Sequence, residues 1–245
     1  MIISFKSEIR EKRKRDHINM KSKLIVIEGA CDGIGKSTQF ALLKERLGNL
    51  GRKVVTHHFP SYNTPRAALV ESYLKGELGS PDTLSPYLVN TLYATDRALT
   101  WKEVISPALD ESSVVLLDRY TTSSIIYQSA LITNEAEKCA FIDYVTDYEY
   151  GKLGVPSPDL VIFLDAPYDT AKALRAARLS NDGITDDIHE SSDGFMKSVY
   201  DSAQFACDRL KWCRINCADE NGAMRSREDI HSDVLSAVTE ALKKV

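Results

Sequence analysis

The chain has 245 residues, 43% of them hydrophobic and 27% charged, with a formal net charge of −4 and five cysteines. That apolar share can bury a core and excludes disorder as the main state, and so few cysteines in so long a chain exclude a disulfide scaffold. A mildly acidic chain without a long Lys/Arg stripe argues against a nucleic-acid partner, and no apolar run approaches the ~20 residues that cross a bilayer. A soluble, cytoplasmic protein with no membrane partner is expected.

The charge is unevenly placed. Residues 1–23 hold eight Lys/Arg against three acids, which leaves 23 basic against 32 acidic residues in the remainder, a net −9. This segment has no apolar secretory stretch, and its acids argue against a mitochondrial signal. Residues 1–19 are therefore set aside as a basic extension, either a disordered tail or a start placed upstream of Met20. Residues 20–245 are expected to form a single domain.

Along that domain, continuous apolar runs at 24–27, 54–59, 114–117, 160–164 and 212–215 are expected strands. They are continuous rather than alternating, as strands covered by helices on both faces must be, so the sheet should be central, parallel and mainly five-stranded. The first run leads to a helix at 39–50, where Leu42, Leu43, Leu47 and Leu50 recur at helical spacing; further helices are expected at 86–101, 134–150, 169–179, 194–210 and 227–242. Residues 180–193 are too polar for core; a lid and an ordinary surface loop both fit, the lid taking in about 178–193.

Between the first strand and first helix stands Gly29-Ala30-Cys31-Asp32-Gly33-Ile34-Gly35-Lys36-Ser37-Thr38. This is the context of a phosphate loop, in which backbone N–H groups at a helix N-terminus cradle oxyanions, so Ala30, Cys31, Gly33, Ile34, Gly35, Lys36, Ser37 and Thr38 are candidate ATP contacts. Lys36 would reach the β and γ phosphates and Ser37 would hold Mg²⁺. Counted back from Lys36, the first glycine slot holds Ala30, and the glycine stands one residue earlier at Gly29; a bulged lead-in is expected. Cys31 is a candidate reactive thiol or a merely buried one. The other cysteines form no metal-binding pair.

The third strand ends in Asp118-Arg119-Tyr120. A carboxylate at a strand's carboxyl end suits the metal. A guanidinium beside it suits a second phosphate, which it grips bidentately, although a structural salt bridge also fits.

The set Asp32 to Gln39, Phe59-Pro60, Asp96-Arg97, Asp118-Arg119-Tyr120 and Pro158-Asp159-Leu160, in this order and spacing, resembles the thymidylate kinase family. The resemblance covers about residues 24–200. It implies a three-layer P-loop NTPase fold with a short lid, transfer of the γ-phosphoryl group of ATP to the 5′-phosphate of dTMP with Mg²⁺, and a homodimer. It also implies that Asp32 bonds near the acceptor's 3′-hydroxyl, that Arg119 grips its phosphate with Tyr62 nearby, and that Tyr93 stacks on thymine while Arg97 donates to a thymine oxygen. Ser123 and Ser124 would border the base, Phe59 would line the same pocket, and Tyr127 would crowd the sugar's 2′ position. From spacing alone, Tyr93 reads better as a core aromatic.

Some family members carry an arginine inside the phosphate loop where this chain has Gly33, so the positive charge must come from elsewhere. Arg178, at the start of the polar stretch, matches the family's lid arginine, with Arg175 one helical face away as reserve. The expected catalytic set is thus Asp32, Lys36, Asp118, Arg119 and Arg178, with Ser37 and Asp118 on the metal. Two other readings are a kinase for another nucleotide or deoxynucleoside, and a non-catalytic ATP-binding module. An unphosphorylated acceptor would require a carboxylate base, for which Glu28 is a weak candidate.

Overall fold

The computed structural model describes residues 22–29, 33–80, 83–182 and 193–243. The expected extension (1–19), the loop residues Ala30, Cys31 and Asp32, and most of the expected lid (183–192) lie outside the described residues; of Arg178 only the backbone is described.

Five strands, β1 (Lys23–Gly29), β2 (Lys53–His58), β3 (Ser113–Asp118), β4 (Leu160–Asp165) and β5 (Cys213–Asn216), form one sheet in the order β2-β3-β1-β4-β5. All pairings are parallel. Every strand expected from the sequence is present, displaced or extended by a residue or two. Helices α1 (Lys36–Asn49), α2 (Ala68–Leu74), α3 (Pro86–Thr100), α4 (Thr121–Ser129), α5 (Glu135–Thr146), α6 (Tyr168–Asp182), α7 (Asp193–Leu210) and α8 (Arg227–Lys243) cover it. α3 and α5 run on into π-helical segments, Trp101–Ile105 and Asp147–Leu153.

The continuous apolar runs are continuous because alternate side chains enter two cores. Ile25, Ile27, Val114 and Leu116 cluster with Leu43 and Leu47 of α1 and Val234 and Val238 of α8. Leu24, Val26, Val115 and Leu117 cluster instead with Phe59, Ile105, Tyr120 and Val155. Each fully buried Leu, Ile or Val contributes on the order of 1.5–3 kcal/mol, so the two faces together fix the three layers. Among the described residues no helix is long and apolar enough to cross a membrane.

The chain leaves β1 toward β2 and β3 on one side and β4 and β5 on the other. In such sheets the crevice at the carboxyl ends, where strand order diverges, is the natural ligand site. Gly29, His58 and Asp118 all end strands there.

α4 was not expected from the sequence. Its residues, Thr-Thr-Ser-Ser-Ile-Ile-Tyr-Gln-Ser, are poor helix formers. Tertiary bonds hold it. The buried Glu28 carboxylate accepts from the hydroxyls of Thr122 (2.8 Å) and Ser123, Glu149 accepts from Thr121 (2.8 Å), and Ser129 bonds Ser202 of α7 at 2.6 Å.

Candidate active site

β1 ends at Gly29, and the described loop resumes at Gly33, with φ 90°, and Gly35, with φ 93°. Both are left-handed conformations that glycine adopts without strain. At Gly33 space adds a second demand, because a Cβ there would lie 3.1 Å from the Arg175 backbone nitrogen and 3.2 Å from the Leu174 carbonyl carbon. The loop thus rests directly on the backbone of α6. Ile34 turns its side chain into the core, leaving only its backbone for a nucleotide, and Thr38 is half-buried. One turn on, Gln39 locks α1 to α8, donating to the Arg227 carbonyl at 3.0 Å and meeting His231 Nδ1 at 3.1 Å.

A cavity of about 220 Å³ opens beside Lys36 and Ser37. Phe59, Pro60 and Tyr62 after β2, Tyr93 and Arg97 of α3, and Asp118, Arg119 and Tyr120 after β3 line it. Ser123, Ser124, Tyr127 and Gln128 of α4 complete the wall. Every substrate residue expected from the sequence, Asp32 apart, therefore borders one space that also reaches the phosphate-loop lysine.

At the end of β3, Asp118 Oδ2 meets His58 Nδ1 at 3.1 Å, while its Oδ1 is buried with no hydrogen bond among the described residues. Burial alone would push the Asp118 carboxyl up, but His58, Arg119 and Lys36 together hold it below its ordinary value. The acid is thus kept ionised, with one oxygen that has no hydrogen-bond partner among the described residues. Arg119 follows at φ 65°, a strained backbone for a residue with a Cβ. Its N–H donates to the Ile27 carbonyl at 3.2 Å, and its guanidinium lies over the Tyr127 ring at 5.5 Å.

Arg97 is fully buried. Its Nε and Nη2 donate to the two oxygens of Glu149, each at 2.7 Å, while Nη2 also donates to Ser124 Oγ at 2.8 Å and Nη1 reaches the Tyr120 carbonyl at 3.4 Å. Burial would lower the guanidinium's pKa, but the charge and hydrogen bonds of Glu149 outweigh it and raise it. The same guanidinium sits 6.0 Å over the Tyr93 ring, whose edge contacts Tyr73. On α4, Gln128 is buried at the cavity wall and its Oε1 has no hydrogen bond among the described residues.

The loop after β2 is held from behind. The Ser61 N–H donates to Asp96 Oδ2 at 2.8 Å, and Thr100 Oγ1 donates to Asp96 Oδ1 at 3.1 Å. With its one hydrogen so used, Thr100 must accept from Ser61 Oγ at 2.9 Å, and Ser61 must in turn accept from His57 Nε2 at 2.9 Å. His57 is therefore the Nε2–H tautomer. Above this network Phe59 is wedged between the His57 and Tyr120 rings, and Tyr62, 45% exposed, stacks on His58.

Glu28 does not border the cavity. Its carboxylate is spent on Thr122, Ser123 and the Gly29 N–H, so it offers no base to an acceptor hydroxyl. Sequence reading also missed Glu149, Gln128 and the role of Asp96. Asp96 stood in the Asp96-Arg97 motif without its role being legible, and Glu149 left a weaker signal: it lies four residues after Val145, on the face that buries Phe141, Ile142 and Val145.

The family model "Thymidylate kinase" matches residues 27–230. The chain belongs to the thymidylate kinase family. It is 33% identical over 225 residues to the thymidylate kinase of Pelotomaculum thermopropionicum, covering 91% of this chain and 95% of that protein. To the thymidylate kinase of Caldicellulosiruptor saccharolyticus it is 31% identical over 225 residues, covering 92% and 100%. The solved structure of thymidylate kinase from Candida albicans superposes with a TM-score of 0.67 at 21% identity, over 90% of this chain and 93% of that one, and shows the shared fold. As a member of this family the chain is a phosphotransferase, and the five-stranded parallel P-loop architecture expected from its sequence is the one it has.

Proposed function

We propose that this thymidylate kinase family member transfers the γ-phosphoryl group of ATP to the 5′-phosphate of dTMP, giving dTDP and ADP. The observation that carries the reading is the single cavity in which Lys36 and Ser37 share walls with Arg119 and with Tyr93 and Arg97. Donor phosphate, acceptor phosphate and a flat base each have a matching surface there. In-line transfer depends on positioning and charge neutralisation rather than covalent chemistry. The acceptor phosphate has a second pKa of about 6 and is already a dianion at neutral pH, so no general base is required. The engagement of Glu28 elsewhere supports a monophosphate acceptor over a nucleoside.

In this reading Lys36 binds the β and γ phosphates, and the backbone from Ala30 to Thr38 cradles them. Arg119, pinned by its backbone and by Tyr127, holds the acceptor phosphate. Arg97 donates to the base and Gln128 offers it an acceptor, while Asp32 serves the sugar. Ser37 and Asp118 would hold Mg²⁺, and the buried, unpartnered Asp118 Oδ1 fits that role. The ion supplies neutralisation of the phosphate oxygens when bound. Arg178, with Arg175 in reserve, brings positive charge to the γ-phosphoryl group from α6. Leu88, Leu92, Thr95 and Leu99 form an outward stripe on α3, with Leu88 51% and Leu99 38% exposed, which supports a homodimer joined through this face; a cytoplasmic location belongs to the same reading.

The test is ADP release with Mg·ATP and each of dTMP, dUMP, dCMP, dGMP, CMP, UMP and thymidine. Fastest turnover with dTMP is expected. Turnover with thymidine alone would replace the reading by a nucleoside kinase, and no turnover with any acceptor by a binding module.

A further inference from the structure

We propose that Glu149 is a positioning residue for base selection: by fixing Arg97 in one orientation, it makes the cavity prefer a pyrimidine that presents a carbonyl over one that presents an amino group. This rests on the functional reading above.

Glu149 is the buried residue of the π-helical extension of α5, and its side chain is wholly enclosed. Its carboxylate accepts three hydrogen bonds among the described residues, Oε1 from Arg97 Nη2 and Oε2 from both Arg97 Nε and Thr121 Oγ1. A buried guanidinium without a counter-charge is heavily penalised, and a fork of two parallel bonds fixes its plane as well as its charge. An ion pair that served stability alone could sit anywhere in the core, and apolar residues of equal volume would often replace it without loss. This pair does not sit anywhere. Arg97 and its other partners, Ser124, Tyr120 and the Tyr93 ring, all line the substrate cavity.

Among the described residues, four of the five guanidinium N–H groups have protein acceptors, and the bond from Nη1 is the longest, at 3.4 Å. Nη1 is thus the end of Arg97 left for a ligand. Arginine only donates, so the matching ligand atom must be an acceptor. A ring carbonyl satisfies it, whereas an exocyclic amino group sets donor against donor. Sites built to hydrogen-bond one group reject analogues that cannot supply it far more strongly than apolar pockets reject a missing methylene. That selectivity requires Arg97 not to swing, and within this network Glu149 is the carboxylate that holds it.

The experiment compares wild type, Glu149→Gln and Thr121→Val for kcat and KM with dTMP, KM with ATP, and the ratio of kcat/KM for dTMP to that for dCMP. Glu149→Gln keeps the shape but removes the charge and one acceptor. It is expected to raise KM for dTMP and lower the dTMP:dCMP ratio, each about tenfold or more, with KM for ATP within about twofold. Thr121→Val removes only the hydroxyl that braces Glu149 Oε2 and should move both quantities the same way by about two- to fivefold. A merely structural role would lower the melting temperature and leave KM for dTMP and the ratio unchanged; that result in Glu149→Gln, cooperatively folded, would overturn the proposal. If Glu149→Gln does not fold, unchanged KM and ratio in Thr121→Val overturn it instead. Wild type that fails to turn over dTMP overturns the functional reading itself, which separates the two failures.

Discussion

Replacing Asp96 by Asn tests whether the loop after β2 is tethered from behind for the sake of the substrate. The carboxylate accepts the Ser61 N–H and the Thr100 hydroxyl, and it is 1% exposed. An amide retains one acceptor oxygen, so one of the two bonds to a charged group is lost or reversed, a cost of about 1.5–3 kcal/mol. At roughly 2–4 °C per kcal/mol for a domain of this size, the melting temperature should fall by roughly 3–12 °C. Ser61 lies between Pro60 and Tyr62, which border the cavity, so an untethered loop must be ordered again when dTMP binds. If even half of a 3 kcal/mol loss is felt at that step, KM for dTMP rises about tenfold, while KM for ATP is unchanged. Steady-state kinetics with each substrate varied in turn measures the split. Thr100→Val is the control: it disrupts the same network but leaves the Asp96 bond to the Ser61 N–H, so it should lower stability without moving KM for dTMP. A melting temperature lowered in both variants with KM for dTMP unchanged in both would refute the reasoning.

The remaining predictions concern the acid limb, the lid and the helical face. Burial, the largest influence on His57, lowers its pKa from 6.5 despite the opposing charge of Asp96, so the folded state binds fewer protons than the unfolded chain as pH falls through that value. His57 thus contributes no pH dependence well above that range and costs stability progressively below it; His57→Gln should flatten the stability slope between about pH 7 and pH 5, read by urea melts. Arg178→Ala should lower kcat about 10³-fold with Arg175 intact, and a change of only a few-fold would reassign the role. Leu88→Glu, on the exposed stripe of α3, should leave melting within about 0.5 kcal/mol of wild type for the isolated protomer. In light scattering it should shift a dimer to a monomer; an unchanged mass would place the interface elsewhere.

The three central strands were legible because burial on both faces writes itself into sequence as uninterrupted Leu, Ile, Val and Phe, whereas the edge strands β2 and β5 carry His or Arg and are less buried; the phosphate loop was legible because glycine spacing answers to backbone geometry. α4 was illegible for the opposite reason. Thr121, Thr122, Ser123 and Ser129 have little intrinsic reason to be helical, and what folds them is acceptors from distant segments, Glu28 on β1, Glu149 after α5 and Ser202 on α7. Arg97 was read as a single donor to a ligand, and the structure adds that most of its donors already serve the protein. Residues expected to touch substrate left motif signals; of those that hold them, Glu149 stood in no motif, and Asp96 shared the motif of Arg97 without showing what it does. Their partners lie 52 and 35 positions away in the chain, beyond any local pattern.

The contact at Gly33 has a consequence for how this kinase can be rebuilt. A side chain there would bring its Cβ within 3.1–3.4 Å of the α6 backbone at Leu174 and Arg175, so loop or helix must give by a few tenths of an ångström, and φ at 90° adds strain of its own. A loop side chain and the present seat of α6 therefore press on the same space. Gly33→Arg would strain the loop and disturb its contact with the helix that carries Arg175 and Arg178. Loop and helix are more than 130 residues apart in sequence, yet they bear on one another, and a change in one is felt by the other.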